Sequence, residues 1–188
     1  FHSGLKAFLT KEEVPNIAAQ LVGEPIALYK EKINYKYPGG GGYAAHQDAP
    51  AFPHISYSVT CAVAIDDANL ENGCLFVAPG RHLEGLLKPN AVACIDDDLA
   101  NDMPWKPVEM QAGDVLFFDS HLPHKSPPNR SNRPRKNLYL TYNKLSEGDL
   151  RAQYYQDKLQ SRSKRIKEGK AQNKISLIGH FQGKIVST

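Results

Sequence analysis

The chain opens with helical spacing and then turns to alternation. Leu5 to Val22 reads as a helix: Thr10 is placed to N-cap it, Glu13 takes the capping-box position, and Pro15 falls in the first turns, where a missing N–H costs little. PIALYKEKINYKY then alternates in places and is rich in β-branched and aromatic residues, which predicts one or two strands. Pro38 followed by four glycines breaks that pattern just before YAAHQDAP, and such a loop can pack close beside a site. ISYSVTCAVAIDD predicts a strand closed by the turn residues of DDANLENG, and CLFVAPG predicts a second, shorter one. DVLFFDS follows the turn signal Ala112-Gly113, and KNLYLTYNK follows the loop PPNRSNRPR. Several short strands with turns between them, and helices only at the flanks, predict a β-barrel or sandwich. From Glu147 to about Lys170 the composition is helical, with Tyr154, Leu159 and Ile166 available as a buried stripe. The last segment, ISLIGHFQGKIV, reads equally as a strand or a packing tail, and no internal repeat is present.

Composition narrows the class without choosing a chemistry. The chain has 188 residues, 41% apolar and 23% charged, with a net charge of +3, which suits one globular domain over 1–188. It opens at Phe1 rather than Met, so the domain is expected to lack part of an N-terminal helical region. No apolar run approaches the roughly 20 residues needed to cross a bilayer, so no membrane partner is expected. Cys61, Cys74 and Cys94 form no CxxC pair, which points to reduced, buried thiols and a cytoplasmic location. Positive charge concentrates between Lys158 and Lys170, in LQSRSKRIKEGK. No aromatic residue interleaves that run, so it reads as a solvated helix face and no nucleic-acid partner is expected.

Chemistry concentrates in His46-Gln47-Asp48. On extended chain, residues i and i+2 project to one face, so an imidazole and a carboxylate can converge on one ion. A second imidazole from another strand completes a facial triad with adjacent open positions, the signature of non-haem Fe(II) oxygenases, in which 2-oxoglutarate and O2 take those positions. DVLFFDSHLPHKSPPNRSNRPR offers His121 and His124 as that second imidazole, with Arg130, Arg133, Arg135 and, further on, Arg151 nearby. The distal carboxylate of 2-oxoglutarate calls for a planar bidentate cation. An arginine opening one strand sits beside a histidine closing the previous one if the two pair antiparallel. Arg135, which leads into NLYLTYN, meets that condition with His124, whereas Arg133 precedes Pro134 and belongs to the loop.

These stretches (HQD, ENGCLFVAPGRH and GDVLFFDSHLPHKSPPNRSNRPR) resemble the phytanoyl-CoA dioxygenase family of Fe(II)/2-oxoglutarate oxygenases. The resemblance runs from about Lys32 to Asn143, with Arg81 standing where the family commonly has Ser. It implies a mainly β fold, a double-stranded β-helix (jelly roll, cupin-like) with flanking α-helices. It maps the iron ligands onto His46, Asp48 and His124, and oxoglutarate contacts onto Arg135, eleven residues after His124, and Ser126 of the HxS motif. KIN before the glycine loop resembles the strand that supplies a polar oxoglutarate contact in ectoine-hydroxylase-like members, which adds Asn34 and, more weakly, Lys32. The implied cofactors are Fe(II), 2-oxoglutarate and O2, and the implied reaction is hydroxylation of a C–H bond in a small organic molecule with release of succinate and CO2. Asp48 retains the carboxylate that the halogenating branch replaces. The glycine loop and the tail (DLRAQYYQDK, HFQGK) resemble members that hydroxylate small phosphonates.

The remaining candidates read as structural. His2, His54, His82 and His180 are expected to be surface or hydrogen-bonded histidines, His82 in a turn after Pro-Gly-Arg; His121 fits neither the HxS motif nor the spacing and is only a minor candidate to stand behind the ligands. Tyr29, Tyr35, Tyr37, Tyr43 and Trp105 are candidates for a substrate pocket or for packing, and Asp66, Asp67 and Glu71 read as turn residues. A cupin-like metal-binding domain without catalysis, or an oxygenase acting on nucleic acid or protein, is the alternative. Oligomeric state is left open.

Overall fold

A computed structural model describes residues 13–91 and 93–168; Thr10, His2, His180 and the segment ISLIGHFQGKIV lie outside them. Helix α1 (Glu13–Val22) leads into β1 (Ile26–Lys36), one strand where the sequence allowed two. β2 (Tyr43–His46), β3 (Ser58–Ala64), β4 (Leu75–Val77), α2 (Asp97–Asn101), β5 (Lys106–Val108), β6 (Val115–Asp119), β7 (His124–Ser126), β8 (Arg135–Lys144) and α3 (Arg151–Lys167) follow. They form two antiparallel four-stranded sheets, ordered β1-β8-β3-β6 and β2-β7-β4-β5. Among the described residues no helix is long and apolar enough to cross a membrane.

The larger sheet is amphipathic in an unusual sense. On β8, Leu138, Leu140 and Tyr142 alternate with Asn137, Tyr139, Thr141 and Asn143. The apolar set joins Cys61, Val63 and Ala18 in a cluster on the side covered by α1, flanked by Val14, Ile26, Leu28, Ile33 and Phe117. The other face looks between the sheets. There Ala62, Leu75, Val77, Phe118 and Tyr139 form a small apolar core. The rest of that face is polar: Lys30, Asn34, Lys36, Ser58, Thr60, Arg135, Asn137, Thr141 and Asn143 are all buried. Burying polar groups is unfavourable unless they find partners, and here Asn34 Oδ1, Ser58 Oγ, Arg135 Nε and Asn137 Oδ1 are buried without one.

Two expectations need correction. β7 pairs with β2 and β4 while β8 pairs with β1 and β3, so His124 and Arg135 are not neighbours across one antiparallel ladder. They belong to opposite sheets, which Lys36, opposite Arg135, bridges by donating to Ser126, two residues after His124. The stripe on α3 is not buried either: Leu159 is 61% exposed and Ile166 39%, with Tyr154 half-buried. The helix is held instead by Tyr154 against Tyr29, by Tyr155 Oη on the Glu31 main chain, and by Arg151 on the Glu31 carboxylate.

Candidate metal and cosubstrate site

His46 closes β2 and faces His124 on β7 in register, with ring centroids 4.1 Å apart. Asp48 lies just beyond the strand, at φ −78° and ψ −29°, the N-cap of a single 3-10 turn. The extended-chain argument for HQD therefore fails at its second residue. The carboxylate meets the imidazoles because the chain turns, a turn pinned by the Asp48 and Ala49 N–H groups donating to the Ser120 carbonyl at 2.9 and 3.0 Å. One ligand atom from each of His46, Asp48 and His124 lies within 4.8 Å of the others, the one such cluster among the described residues.

The donor set fits a divalent metal. His46 Nδ1 lies 2.8 Å from the Ala44 carbonyl and His124 Nδ1 2.9 Å from that of Leu122, which directs each proton to Nδ1 and leaves Nε2 as the lone-pair nitrogen. Burial, helped by neighbouring His124, pushes the His46 imidazole down to about 3; burial also lowers His124. Burial would raise the Asp48 carboxyl, but Lys30, His124, Lys32 and His46 together outweigh it and hold it well below the usual range. All three groups are thus deprotonated at neutral pH, as metal ligands must be.

Gln47, between the two ligands, was assigned no role from sequence and is fully engaged. Its Nε2 donates to the carbonyls of Gly85 and His121 (2.8 and 2.7 Å), and its Oε1 accepts from Leu87 N–H at 2.9 Å. It ties the 85–87 loop and the turn before His124 to the ligand strand. The His121 ring turns to Asp119 Oδ1 at 3.2 Å and does not join the cluster.

At one end of the interior lies a basic, hydroxyl-bearing pocket. Arg135 is buried; its Nη2 donates to the Gly73 carbonyl at 3.0 Å, and its Nε has no partner. Lys36, directly opposite on β1, donates to Ser126 Oγ at 2.7 Å, the Pro127 carbonyl at 2.6 Å and the Gly73 carbonyl at 3.2 Å. Sequence reasoning missed Lys36. Its signal was alternation, since Lys32, Asn34 and Lys36 occupy every second position of β1. Burial beside the Arg135 guanidinium pushes the Lys36 ammonium down to about 7. Asn34, opposite Asn137, is buried with an unpartnered Oδ1. An anion with two or more acceptor oxygens would satisfy the Arg135 Nε and share the Lys36 charge.

Glycines let the backbone close on this pocket. Gly73 sits at φ +77°, where a Cβ would collide with the Pro127 carbonyl oxygen. At Gly42 a Cβ would meet the carbonyl of Ser126, so the glycine loop does pack against the site.

The other candidates distribute as follows. Tyr43 lies opposite Ser126, with Lys36 Nζ 5.6 Å from its ring, and so lines the pocket. Tyr35 and Tyr37 are exposed and stack on each other at 6.2 Å. Trp105 donates to the Ala100 carbonyl at 2.7 Å and packs outside the smaller sheet. Arg130 and Arg133 are exposed loop residues, and Arg151 pairs with Glu31. His54 is a surface residue bonded to Asp157 at 2.6 Å. His82, expected to make a structural hydrogen bond, has a buried Nδ1 without a partner. Asp66 and Asp67 brace turns, accepting from Lys136 N–H and Ala112 N–H.

A double-stranded β-helix with a His-Asp-His cluster inside and a buried guanidinium in the same interior defines a class, the cupin-like non-haem iron oxygenases. Residues 2–137 match the Phytanoyl-CoA dioxygenase (PhyH) family, and the chain belongs to that family. Over 184 residues it is 56% identical to the methylphosphonate hydroxylase of Gimesia maris, covering 98% of this chain and 71% of that protein. Over 160 residues it is 44% identical to the 2-aminoethylphosphonate dioxygenase of the uncultured bacterium HF130_AEPn_1, covering 84% of this chain and 61% of that protein. Among solved structures, the epimerase SnoN in complex with Fe3+, alpha ketoglutarate and nogalamycin RO is similar, with a TM-score of 0.67 and 26% identity over 76% of this chain and 59% of that one. EctD from S. alaskensis, solved with 2-oxoglutarate and 5-hydroxyectoine, shares the fold at a TM-score of 0.64 and 22% identity, covering 74% of this chain and 52% of that one.

Proposed function

We propose that the chain is an Fe(II)- and 2-oxoglutarate-dependent dioxygenase that hydroxylates a C–H bond of a small organic phosphonate, releasing succinate and CO2. The observation that carries the reading is the pairing of the His46, Asp48 and His124 cluster with an Arg135 whose buried Nε lacks a partner. The names of the two phosphonate-oxidising relatives supply the substrate class.

In this reading His46, Asp48 and His124 hold the iron, and Arg135, Ser126 and Lys36 receive the distal carboxylate of 2-oxoglutarate, with Asn34 lining its path. Bound iron, 2-oxoglutarate and O2 supply the oxidising chemistry. The protein's own part is positional. Carbonyl contacts at Nδ1 fix both imidazoles, Gln47 braces the loops around them, and Tyr43 and the glycine loop close the cosubstrate end against water. Cys61, Cys74 and Cys94 are buried free thiols, which supports a reducing, cytoplasmic setting.

The test is anaerobic titration of Fe(II) and 2-oxoglutarate into wild type, followed by succinate release with methylphosphonate or 2-aminoethylphosphonate. A weak visible charge-transfer band and phosphonate-stimulated succinate are expected. A folded, metal-loaded protein without the band would overturn the oxygenase assignment. A band without phosphonate stimulation would overturn the substrate class.

A further inference from the structure

Lys30 is as deeply buried as Lys36, with 7% of its surface exposed, yet among the described residues its ammonium has no hydrogen-bond acceptor and no carboxylate within ion-pair distance. It lies over the face of Phe52, 4.0 Å from the ring centroid, on the turn that follows Asp48. Lys32, two residues on and on the same face of β1, lies with its ammonium 5.2 Å from the Tyr139 ring and acts on the charge of Asp48. Lys158 reaches in from α3, half-buried, and donates to Tyr154 Oη at 2.8 Å. That hydroxyl, already an acceptor, keeps its own proton to give. The basic run on α3 is therefore not wholly a solvated face: its first lysine points at the interior.

The charges do not balance. Among the described residues, Asp48 is the acidic group that offsets Lys30 and Lys158. If Asp48 ligated a divalent cation, its charge would be drawn there, and among the described residues no carboxylate forms an ion pair with Lys30, Lys32 or Lys158 in its place. Burial already pushes Lys30 down to about 7, the mark of a cation held where water is scarce. The cosubstrate does not resolve this. Lys36 lies six residue steps from Lys30 on regular strand, roughly 20 Å along β1. Ser126 and Arg135 crowd the Lys36 end, whereas Asp48 faces the Lys30 end.

We infer that Lys30 and Lys158, supported by Lys32 and the Tyr154 hydroxyl, form the substrate-anchoring pole that takes a tetrahedral dianion, the phosphonate group, and so select phosphonates over monoanionic or neutral analogues. The inference rests on the dioxygenase reading above and adds the residues that read the substrate. Lysine suits the task because a tetrahedral oxyanion is met by point charges from several directions, while a planar carboxylate is met by an arginine fork. The donors come from two elements, β1 and α3, so ligand binding would draw the helix onto the barrel. Tyr29, packed on Phe52 at 5.4 Å and on Tyr154 at 4.9 Å, walls the pole from solvent.

The test uses the protein loaded anaerobically with Fe(II) and 2-oxoglutarate, with methylphosphonate as the probe. Binding is read from the perturbation of the charge-transfer band, for wild type, Lys30→Gln and Lys158→Gln, with methanesulfonate as the monoanionic comparison. We expect each variant to keep its 2-oxoglutarate titration and to bind methylphosphonate at least tenfold more weakly, and wild type to prefer methylphosphonate to methanesulfonate. Binding within twofold of wild type in both variants overturns the pole, even where phosphonate turnover upholds the proposed function. Lysine-dependent binding without phosphonate-stimulated succinate overturns the function and upholds the pole. If Lys30→Gln loses the band through misfolding, Lys158→Gln, on a surface helix, decides.

Discussion

At one end of the barrel interior Lys36 donates to three oxygens and Arg135 shares one of them; at the other end Lys30, equally buried, donates to none. Both ends are cationic, and both ammonium groups are pushed down to about 7. The difference lies in what holds them. Backbone carbonyls from Gly73 and Pro127 fix the Lys36 end, and main-chain geometry varies little with side-chain substitution. Aromatic faces surround the Lys30 end, and such a surface can be retuned residue by residue. A constant cosubstrate would need the first arrangement and a particular substrate the second.

The strongest way to break this comparison is to remove what both ends share. Asp48→Ala should abolish the Fe(II)-dependent band and reduce succinate release to background, because the anionic ligand is lost while the uncompensated cations remain. A surviving band would show that the metal is held elsewhere. Next, Arg135→Met should raise the 2-oxoglutarate concentration needed for half-saturation by about 10- to 100-fold, the loss of about 1.5 to 3 kcal/mol of charged hydrogen bonding. An unchanged titration would remove Arg135 from the cosubstrate end.

The two lysines sharpen the contrast through opposite signs of stability in the ligand-free protein. Lys36→Met orphans the Pro127 carbonyl and the Ser126 hydroxyl, and should cost about 1–3 kcal/mol in urea denaturation. Lys30→Met removes an ammonium that makes no hydrogen bond among the described residues and whose desolvation outweighs its attraction to Asp48, and should stabilise by about 1–3 kcal/mol. Equal destabilisation by both would erase the distinction between the ends. The last contrast is in pH. The unfolded Lys36 titrates near 10.4 and the folded one at about 7, so between those values only the unfolded chain holds the proton. Stability of the ligand-free protein should rise with pH across that window by at most about 1.4 kcal/mol per pH unit from this group, and be least below pH 7. Denaturation at pH 7.5 and 9 should show a shallower rise in Lys36→Met than in wild type.

How much of this could be read from the chain follows from strand length. β1, β3, β6 and β8 run for 5 to 11 residues and carry enough alternation or apolar density to announce themselves. β2, β4, β5 and β7 run for 3 or 4 residues, and of these only β4 had a local signal, the run CLFV. Their pairing partners make them strands. The same asymmetry governs the site. His46, Asp48 and His124 were legible because motif residues sit together in sequence, and Arg135 because it opens a strand after a loop. The reason first given for the last pairing was wrong, since His124 and Arg135 belong to opposite sheets. Lys30 and Lys36 looked like ordinary charged positions in an alternating strand. Alternation says that they share a face but not which face is inside.

By itself, then, the sequence determined the class of fold and supplied the residues that the structure gathers into the His46, Asp48 and His124 cluster, because each depends on local pattern or short spacing. The tertiary structure decided that the polar face of β1 and β8 is the buried one, with α1 covering the apolar face that a simple sandwich would have turned inward. It also decided that Asp48 meets the imidazoles by a turn and that a lysine of α3 completes a cationic pole. Which face is buried, and which distant charge reaches it, depends on the packing of elements far apart in the chain, and no single strand carries that information.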